Sequence, residues 1–274
     1  MKFDLHNHSK FSDGTKTIDE LVVDAKNNGV TCFALTDHDS VLGDLTIKEE
    51  YKNIIFPGVE LSTKLNGDSV HIIGLFKGGI IPDEMIEFSK EYLRKRRERA
   101  ISMMNNIESI YGLKIDLDKL LSVSENTAIT RGNMLRNLCE CNNISFEKAR
   151  FYISNESRAY LPMSRILPAD GINFLHKNNC IAILAHPVLL KKETYEMLID
   201  LPFDGIEVRY PANGIDDEKN MRLDLADKDV FFSAGSDYHG DKSHAMIGTA
   251  TLDEKEFKVV AELIGYDIER LQWK

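Results

Sequence analysis

The chain has 274 residues, 43% hydrophobic and 28% charged, an ordinary soluble globular balance with room for one large α/β domain or a domain carrying an inserted piece. A charged start and the lack of any apolar run near ~18 residues argue against a signal peptide and against a membrane span, so a cytoplasmic protein is expected. The net charge of −10 argues against general nucleic-acid affinity and stable duplex DNA binding, but leaves room for a small anionic substrate, because bound divalent ions can reverse a local field.

At the amino terminus, Phe3 and Leu5 alternate with polar neighbours as on a strand with one buried face, which puts His6 and His8 together on the other face. Asp13 follows across a short polar link. Thr17 and Glu20 have the spacing of a capping box, and Leu21, Val22 and Ala25 give a helical stripe that Gly29 closes. A short buried strand from Cys32 to Thr36 ends at Asp37-His38-Asp39. The run from Ile54 to Val59 leads into Glu60. After the turn Asn66-Gly67-Asp68, the run Val70 to Leu75 carries His71, so a hairpin is expected.

The pattern changes near Pro82. Helices are expected over Met85–Tyr111, with the basic tract Arg94 to Arg99 on a solvated face, then over Asn133–Cys141 and Ser145–Ile153. This gives a helical insertion over 82–166, with the remaining segments, 1–81 and 167–274, forming one α/β domain. Strand–helix alternation then returns. Ile181 to Ala185 ends at His186-Pro187, and Gly205 to Val208 ends near Tyr210. Val230 to Gly235 ends at Ser236-Asp237-Tyr238-His239, and the chain closes with the run Ile247 to Leu252 and a helix from about Glu254. Cys32, Cys139, Cys141 and Cys180 form no zinc or disulfide framework, so reduced thiols are expected.

Metal-capable residues follow the last apolar position of most strands: His6, His8, Asp13, His38, Glu60, His186, Asp237 and His239. Groups delivered to the carboxyl ends of parallel strands are the signature of a β/α barrel. His71 lies near the start of its run and joins them only if its strand folds back over the rim. His176, mid-helix, and His244, in the polar stretch Asp241-Lys242-Ser243, are set aside as packing or solvated residues. Imidazole and carboxylate together suit manganese, iron or zinc. Nine such ligands with one bridging carboxylate fit two or three ions, and ions about 4 Å apart make a hydroxide at neutral pH and clamp a phosphoryl group.

The ordered set His6-Asn7-His8 with Asp13, Thr36-Asp37-His38-Asp39, Gly58-Val59-Glu60, His71-Ile72-Ile73-Gly74, Ala185-His186-Pro187 and Ser236-Asp237-Tyr238-His239 resembles the PHP (polymerase and histidinol phosphatase) family. The resemblance implies a distorted seven-stranded β/α barrel with a trinuclear metal site. By that pattern His6, His8, Glu60 and Asp237 hold one ion. Asp13, His38 and His239 hold a second, and Glu60, His71 and His186 a third, with Glu60 bridging. Manganese is the first expectation, with zinc, iron or magnesium as alternatives. The nearest branch carries a helical insertion and acts on nucleoside 3′,5′-bisphosphates or on the 5′ end of short RNA. Its Gly-Arg-Pro-His motif supplies a phosphate-contacting arginine. Here the matching stretch is Thr130-Arg131-Gly132-Asn133, which keeps the arginine and lacks the proline and histidine.

The expected enzyme is therefore a metal-dependent phosphoesterase with a metal-bridging hydroxide, Asp13 and Arg131 as catalytic residues, and Arg131, Arg158 and Arg165 on the phosphorylated substrate. Asp37 and Asp39 are expected to orient His38 or a water, and Glu207 and Tyr210 to line the pocket. The rivals are a histidinol-phosphatase-like monoesterase, a metal-stabilised module without turnover, and a C–N hydrolase. The last lacks its bridging lysine, since no lysine follows a ligand-bearing strand.

Overall fold

The computed structural model describes residues 1–122, 129, 131–163, 165–242 and 244–271. The elements, in chain order, are β1 (Phe3–Asp4), α1 (Ile18–Asn27), β2 (Cys32–Leu35), β3 (Ile55–Leu65), β4 (Asp68–Phe76), α2 (Asp83–Tyr111), α3 (Leu117–Leu121), α4 (Arg131–Asn142), α5 (Phe146–Tyr152), α6 (Pro168–Lys177), β5 (Cys180–Leu184), α7 (Lys192–Leu198), β6 (Gly205–Arg209), α8 (Asp217–Asp224), β7 (Phe231–Ala234) and α9 (Glu254–Ile264). No helix among the described residues is long and apolar enough to cross a membrane.

Local rules account for the boundaries. The Thr17 hydroxyl accepts from the Glu20 peptide and the Glu20 carboxylate accepts from the Thr17 peptide, the reciprocal box that starts α1. Asp253 and Glu256 repeat it at α9, which ends on Gly265 in the left-handed region. Asn66 and Gly67 have φ of 51° and 89°, the two positive angles of the two-residue turn that best matches strand twist, so β3 and β4 pair directly from Leu65↔Asp68.

The seven strands form one sheet in sequence order. Neighbours run parallel from β1 to β3 and from β5 to β7, while β4 is antiparallel to both β3 and β5. The sheet closes on itself beyond the short β1, where Leu5 N donates to Ala234 O at 3.1 Å, Asp237 N to His6 O at 2.9 Å and His8 N to Tyr238 O at 2.9 Å. The result is a nearly closed, distorted α/β barrel. Reversal of β4 matters for function: its amino-terminal half, with His71, lies at the rim where the parallel strands end. The expected run Ile247 to Leu252 contributes a single bridge, Leu252 with Phe3, because turn residues occupy the rest.

The chain divides into two compact units, Met1–Glu87 with Arg165–Lys274, and Phe88–Ser164. The sequence change at Pro82 marks the start of α2, whereas the division falls inside that helix. The first unit buries Phe3, Leu5, Phe33, Leu35, Ile55, Phe56, Ile73, Ile183 and Phe257, and Phe3 stacks on Phe257 with centroids 3.9 Å apart. The second unit has its own core of Met103, Met104, Ile107, Leu120, Met134, Leu138 and Ala149.

Gly235 sits where β7 meets the chain leaving β1. A Cβ there would lie 2.2 Å from His6 Cβ and 2.5 Å from Glu207 Oε1. Gly235→Ala is therefore expected to destabilise the barrel by about 3 kcal/mol, since a packed core cannot yield at both contacts. A wild-type denaturation midpoint in that variant would contradict this closure.

Candidate metal centre

Glu60 is the hub. It follows Val59 on β3, is fully buried, and meets five imidazoles. Its Oε2 lies 3.4 Å from His6 Nε2, 3.3 Å from His8 Nε2 and 2.8 Å from His38 Nδ1. Its Oε1 lies 2.8 Å from His71 Nδ1 and 3.0 Å from His186 Nε2. Asp237 Oδ1 approaches His8 Nε2 at 3.0 Å and His6 Nε2 at 3.5 Å. Asp13 Oδ1 lies 3.2 Å from His239 Nε2, and Asp13 Oδ2 lies 3.6 Å from His38 Nε2.

These atoms fall into three groups whose members lie within 4.8 Å of one another: His6, His8, Glu60 and Asp237; His8, Asp13, His38 and His239; and His38, Glu60 and His71. The structure thus brings together all nine side chains expected from the sequence. His8 and His38 each reach two groups, where the expectation gave each one ion. His186 meets the third group through Glu60 Oε1, the oxygen nearest His71.

The donor set suits divalent cations. His6 Nε2, both ring nitrogens of His8, His38 Nδ1, His71 Nδ1 and Glu60 Oε2 are buried without a hydrogen bond among the described residues, although several lie within 3.5 Å of an opposite charge. Buried polar atoms without partners are costly, and lone pairs that converge without bonding one another are what an ion uses.

The carboxylates set the protonation of the metal-free cluster. Burial opposes charge on His6, but Glu60, Glu207 and Asp237 outweigh it and hold its pKa well above the usual value. Burial likewise opposes charge on His8, yet its contacts with Asp237 and Glu60 push it up to about 10. On His38 burial is overcome by Glu60 and Asp13, and its pKa is raised. For Glu60 burial works against ionisation, but the charges of His38, His71 and His6 hold it well below the carboxylate range. Asp13 and Asp237 are lowered in the same way, against burial, chiefly by His38 and His6 respectively.

Supporting contacts come from residues whose part the sequence did not reveal. Glu207, on β6, is fully buried behind His6 instead of lining an open pocket. Its Oε1 lies 3.2 Å from His6 Nδ1, and its Oε2 accepts from the His186 peptide at 2.7 Å. A carboxylate on Nδ1 fixes the tautomer and aims Nε2 at the ion. Glu207 also holds His186 in the left-handed region (φ 29°), a conformation costing a non-glycine residue on the order of 1–3 kcal/mol. Tyr210 donates its hydroxyl to Asp237 Oδ2 at 2.9 Å. Only distance in space links these partners; 201 residues separate His6 from Glu207.

Asp37 and Asp39 make bonds other than those expected. Asp37 accepts from Ser9 N at 2.8 Å, Ser9 Oγ at 2.6 Å and Ser12 Oγ at 2.6 Å, which shapes the loop presenting Asp13. Asp39 accepts from Ser62 N at 2.7 Å. Neither carboxylate bonds the His38 ring among the described residues. Arg165 belongs to the first unit and donates to Ser69 Oγ, which lies 3.0 Å from His71 Nε2. Arg131 opens α4 and Arg158 follows α5, both in the second unit; Thr130, of the expected phosphate motif, lies outside the described residues, as does Ser243. His176 pairs with Asp204 at 2.7 Å, and His244 is exposed as expected, with its ring against His239, centroids 4.1 Å apart.

Residues 4–199 match the PHP domain family. The chain is 27% identical over 250 residues to the 5′-3′ exoribonuclease Rnm of Escherichia coli, covering 86% of this chain and 85% of that one. It is 29% identical over 251 residues to a 3′,5′-nucleoside bisphosphate phosphatase of Chromobacterium violaceum, covering 86% of each. The fold superposes on a Bifidobacterium adolescentis protein assigned as a metal-dependent phosphoesterase, with TM-score 0.78, 23% identity and 97% of both chains covered.

Because the carboxylates favour the protonated forms of His6, His8 and His38 in the metal-free protein, ions compete with protons for these rings. Calorimetric titration of chelator-stripped protein with Mn²⁺ is expected to release protons, with affinity weakening as the pH falls below neutral; pH-independent binding would contradict the ligand set. Glu207→Gln is expected to weaken Mn²⁺ affinity by roughly 10–100-fold while the fold persists. Unchanged affinity would leave Glu207 without its part.

Proposed function

Since the chain belongs to the PHP domain family, we propose that it is a divalent-metal-dependent phosphoesterase acting on nucleotides, either a nucleoside 3′,5′-bisphosphate or the 5′ end of a short oligonucleotide. One observation carries the reading: six imidazoles and three carboxylates converge at one barrel rim around the buried Glu60. The Escherichia coli and Chromobacterium violaceum relatives, named for those two substrate types, support the substrate class.

In this reading His6, His8, Glu60 and Asp237 hold one ion, Asp13, His38 and His239 a second, and Glu60, His71 and His186 a third. Ions bound there, manganese first with zinc, iron or magnesium as alternatives, supply a nucleophile from water at neutral pH and offset charge on the phosphoryl oxygens. Asp13 is the most exposed of the carboxylates, 42% by its side chain, and keeps its charge because His38, His239 and His8 outweigh its burial. It orients the attacking water. Tyr210 fixes Asp237, and Glu207 fixes His6, so the ligands keep one geometry through turnover. Arg131 grips the phosphoryl group bidentately, with Arg158 and Arg165 as further phosphate contacts. Arg165 has a structural argument of its own: through Ser69 it is tied to His71.

The test is release of inorganic phosphate from adenosine 3′,5′-bisphosphate, with histidinol phosphate alongside, before and after manganese loading. Turnover is expected on the nucleotide and only with metal. Asp13→Ala should lower kcat by about 10²-fold or more with an unchanged melting temperature. Wild-type turnover in that variant, or none in the manganese-loaded wild type with nucleotide or oligonucleotide, contradicts the proposal.

A further inference from the structure

Where β1 meets the chain leaving β7, a carboxylate joins the two ends of the barrel. Asp4, the last residue of β1, is fully buried. Its Oδ1 accepts from the Ser236 peptide at 2.9 Å, from the Asn7 side-chain amide at 3.1 Å and from the His6 peptide at 3.4 Å. Its Oδ2 accepts from the Gly248 peptide at 2.7 Å. These four partners are neutral N–H groups, with no cation among them. A buried carboxylate without a counter-cation is unfavourable unless its oxygens accept several bonds, and here both are used.

The donors come from opposite ends of the chain. His6 and Asn7 belong to the segment that carries His6 and His8. Ser236, 232 residues from Asp4, directly precedes Asp237. Asn7 extends the clasp to a third segment. Its amide also donates to Ala34 O at 3.2 Å, its peptide donates to Thr36 Oγ1 at 3.1 Å, and its carbonyl accepts from the Thr36 peptide at 2.8 Å, two residues before His38. Asp4 and Asn7 therefore brace the segments that supply His6, His8, His38 and Asp237.

The bracing is tightest beside Asp237. That residue has a φ of 50°, a conformation that persists only where surrounding bonds hold it. Asp4 holds the peptide of Ser236 on one side, and His6 O accepts from the Asp237 peptide at 2.9 Å on the other. So turned, Asp237 Oδ1 stands 3.5 Å from His6 Nε2 and 3.0 Å from His8 Nε2.

We propose that Asp4 is a positioning residue for the ion held by His6, His8, Glu60 and Asp237. Through Ser236, His6 and Asn7 it sets the spacing of Asp237 from the two imidazoles. Its bonds go to peptide and amide N–H groups, so it acts through the ligands and not as one of them. The inference rests on the metal-dependent reading of the rim.

The test uses the full chain, stripped with chelator, then titrated with Mn²⁺ by calorimetry and with Co²⁺ by visible absorption, whose band reports the ligand arrangement. Asp4→Asn keeps the shape but turns one acceptor into a donor that faces another N–H. The Kd for Mn²⁺ is expected to rise roughly 10–100-fold, and the Co²⁺ band to shift or lose intensity. Asn7→Ala, which removes one of the four donors, should move both in the same direction by less. Phe257→Leu serves as the structural control. It thins the core against Phe3 of β1 without touching the clasp, and should lower the melting temperature while leaving Kd and band as in wild type. A wild-type Kd and band in folded Asp4→Asn, or an equal change in Phe257→Leu, overturns the inference. Should Asp4→Asn fail to fold, the same criterion applies to Asn7→Ala. Wild-type protein that takes up neither ion overturns the metal-dependent reading and the positioning role with it, whereas unchanged binding in the variants beside normal wild-type loading overturns the positioning role alone.

Discussion

A buried carboxylate amid five imidazoles is the constraint on which the rest of this structure depends. Glu60 has no exposure, and an ionised carboxylate in such a place is untenable without compensation. Its neighbours provide that compensation in one of two currencies, protons on the histidines or divalent ions between the ligands. The same charge arithmetic that keeps Glu60 ionised raises His6, His8 and His38, and so couples metal occupancy to pH.

The barrel delivers these groups to one place by a small number of backbone devices. Parallel strands end together, so His6, His8, His38, Glu60, His186, Asp237 and His239 emerge at one rim. The single antiparallel insertion, β4, brings His71 to the same rim from the opposite chain direction. Asp39, His186 and Asp237 take positive φ angles just beyond their strands, which turns each chain sharply at the site. Such conformations persist only where surrounding bonds over-determine them. Glu207 holding the His186 peptide and Tyr210 holding Asp237 are such bonds.

Much of this was legible in the sequence because it is local. The Thr17–Glu20 box, the Asn66-Gly67 turn and the placing of a metal-capable residue after each apolar run all depend on neighbours within a few positions. The ordered motifs then gave the family and its barrel. What escaped was non-local. Glu207 looks in sequence like any acid at a strand end, and its task is visible only once His6 stands beside it. Asp37 looks like a partner of the adjacent His38, yet its bonds go back to Ser9 and Ser12. His244 is exposed as its polar surroundings imply, but its stacking on His239 is not visible in sequence.

The account stands or falls on Glu60 gathering ions. The direct measurement is elemental analysis of manganese-loaded, gel-filtered protein beside a Glu60→Gln variant of matched fold. At least two ions per wild-type chain, dropping below one in the variant, is the result this geometry requires. Fewer than one ion per wild-type chain, or equal loading of both proteins, would contradict it.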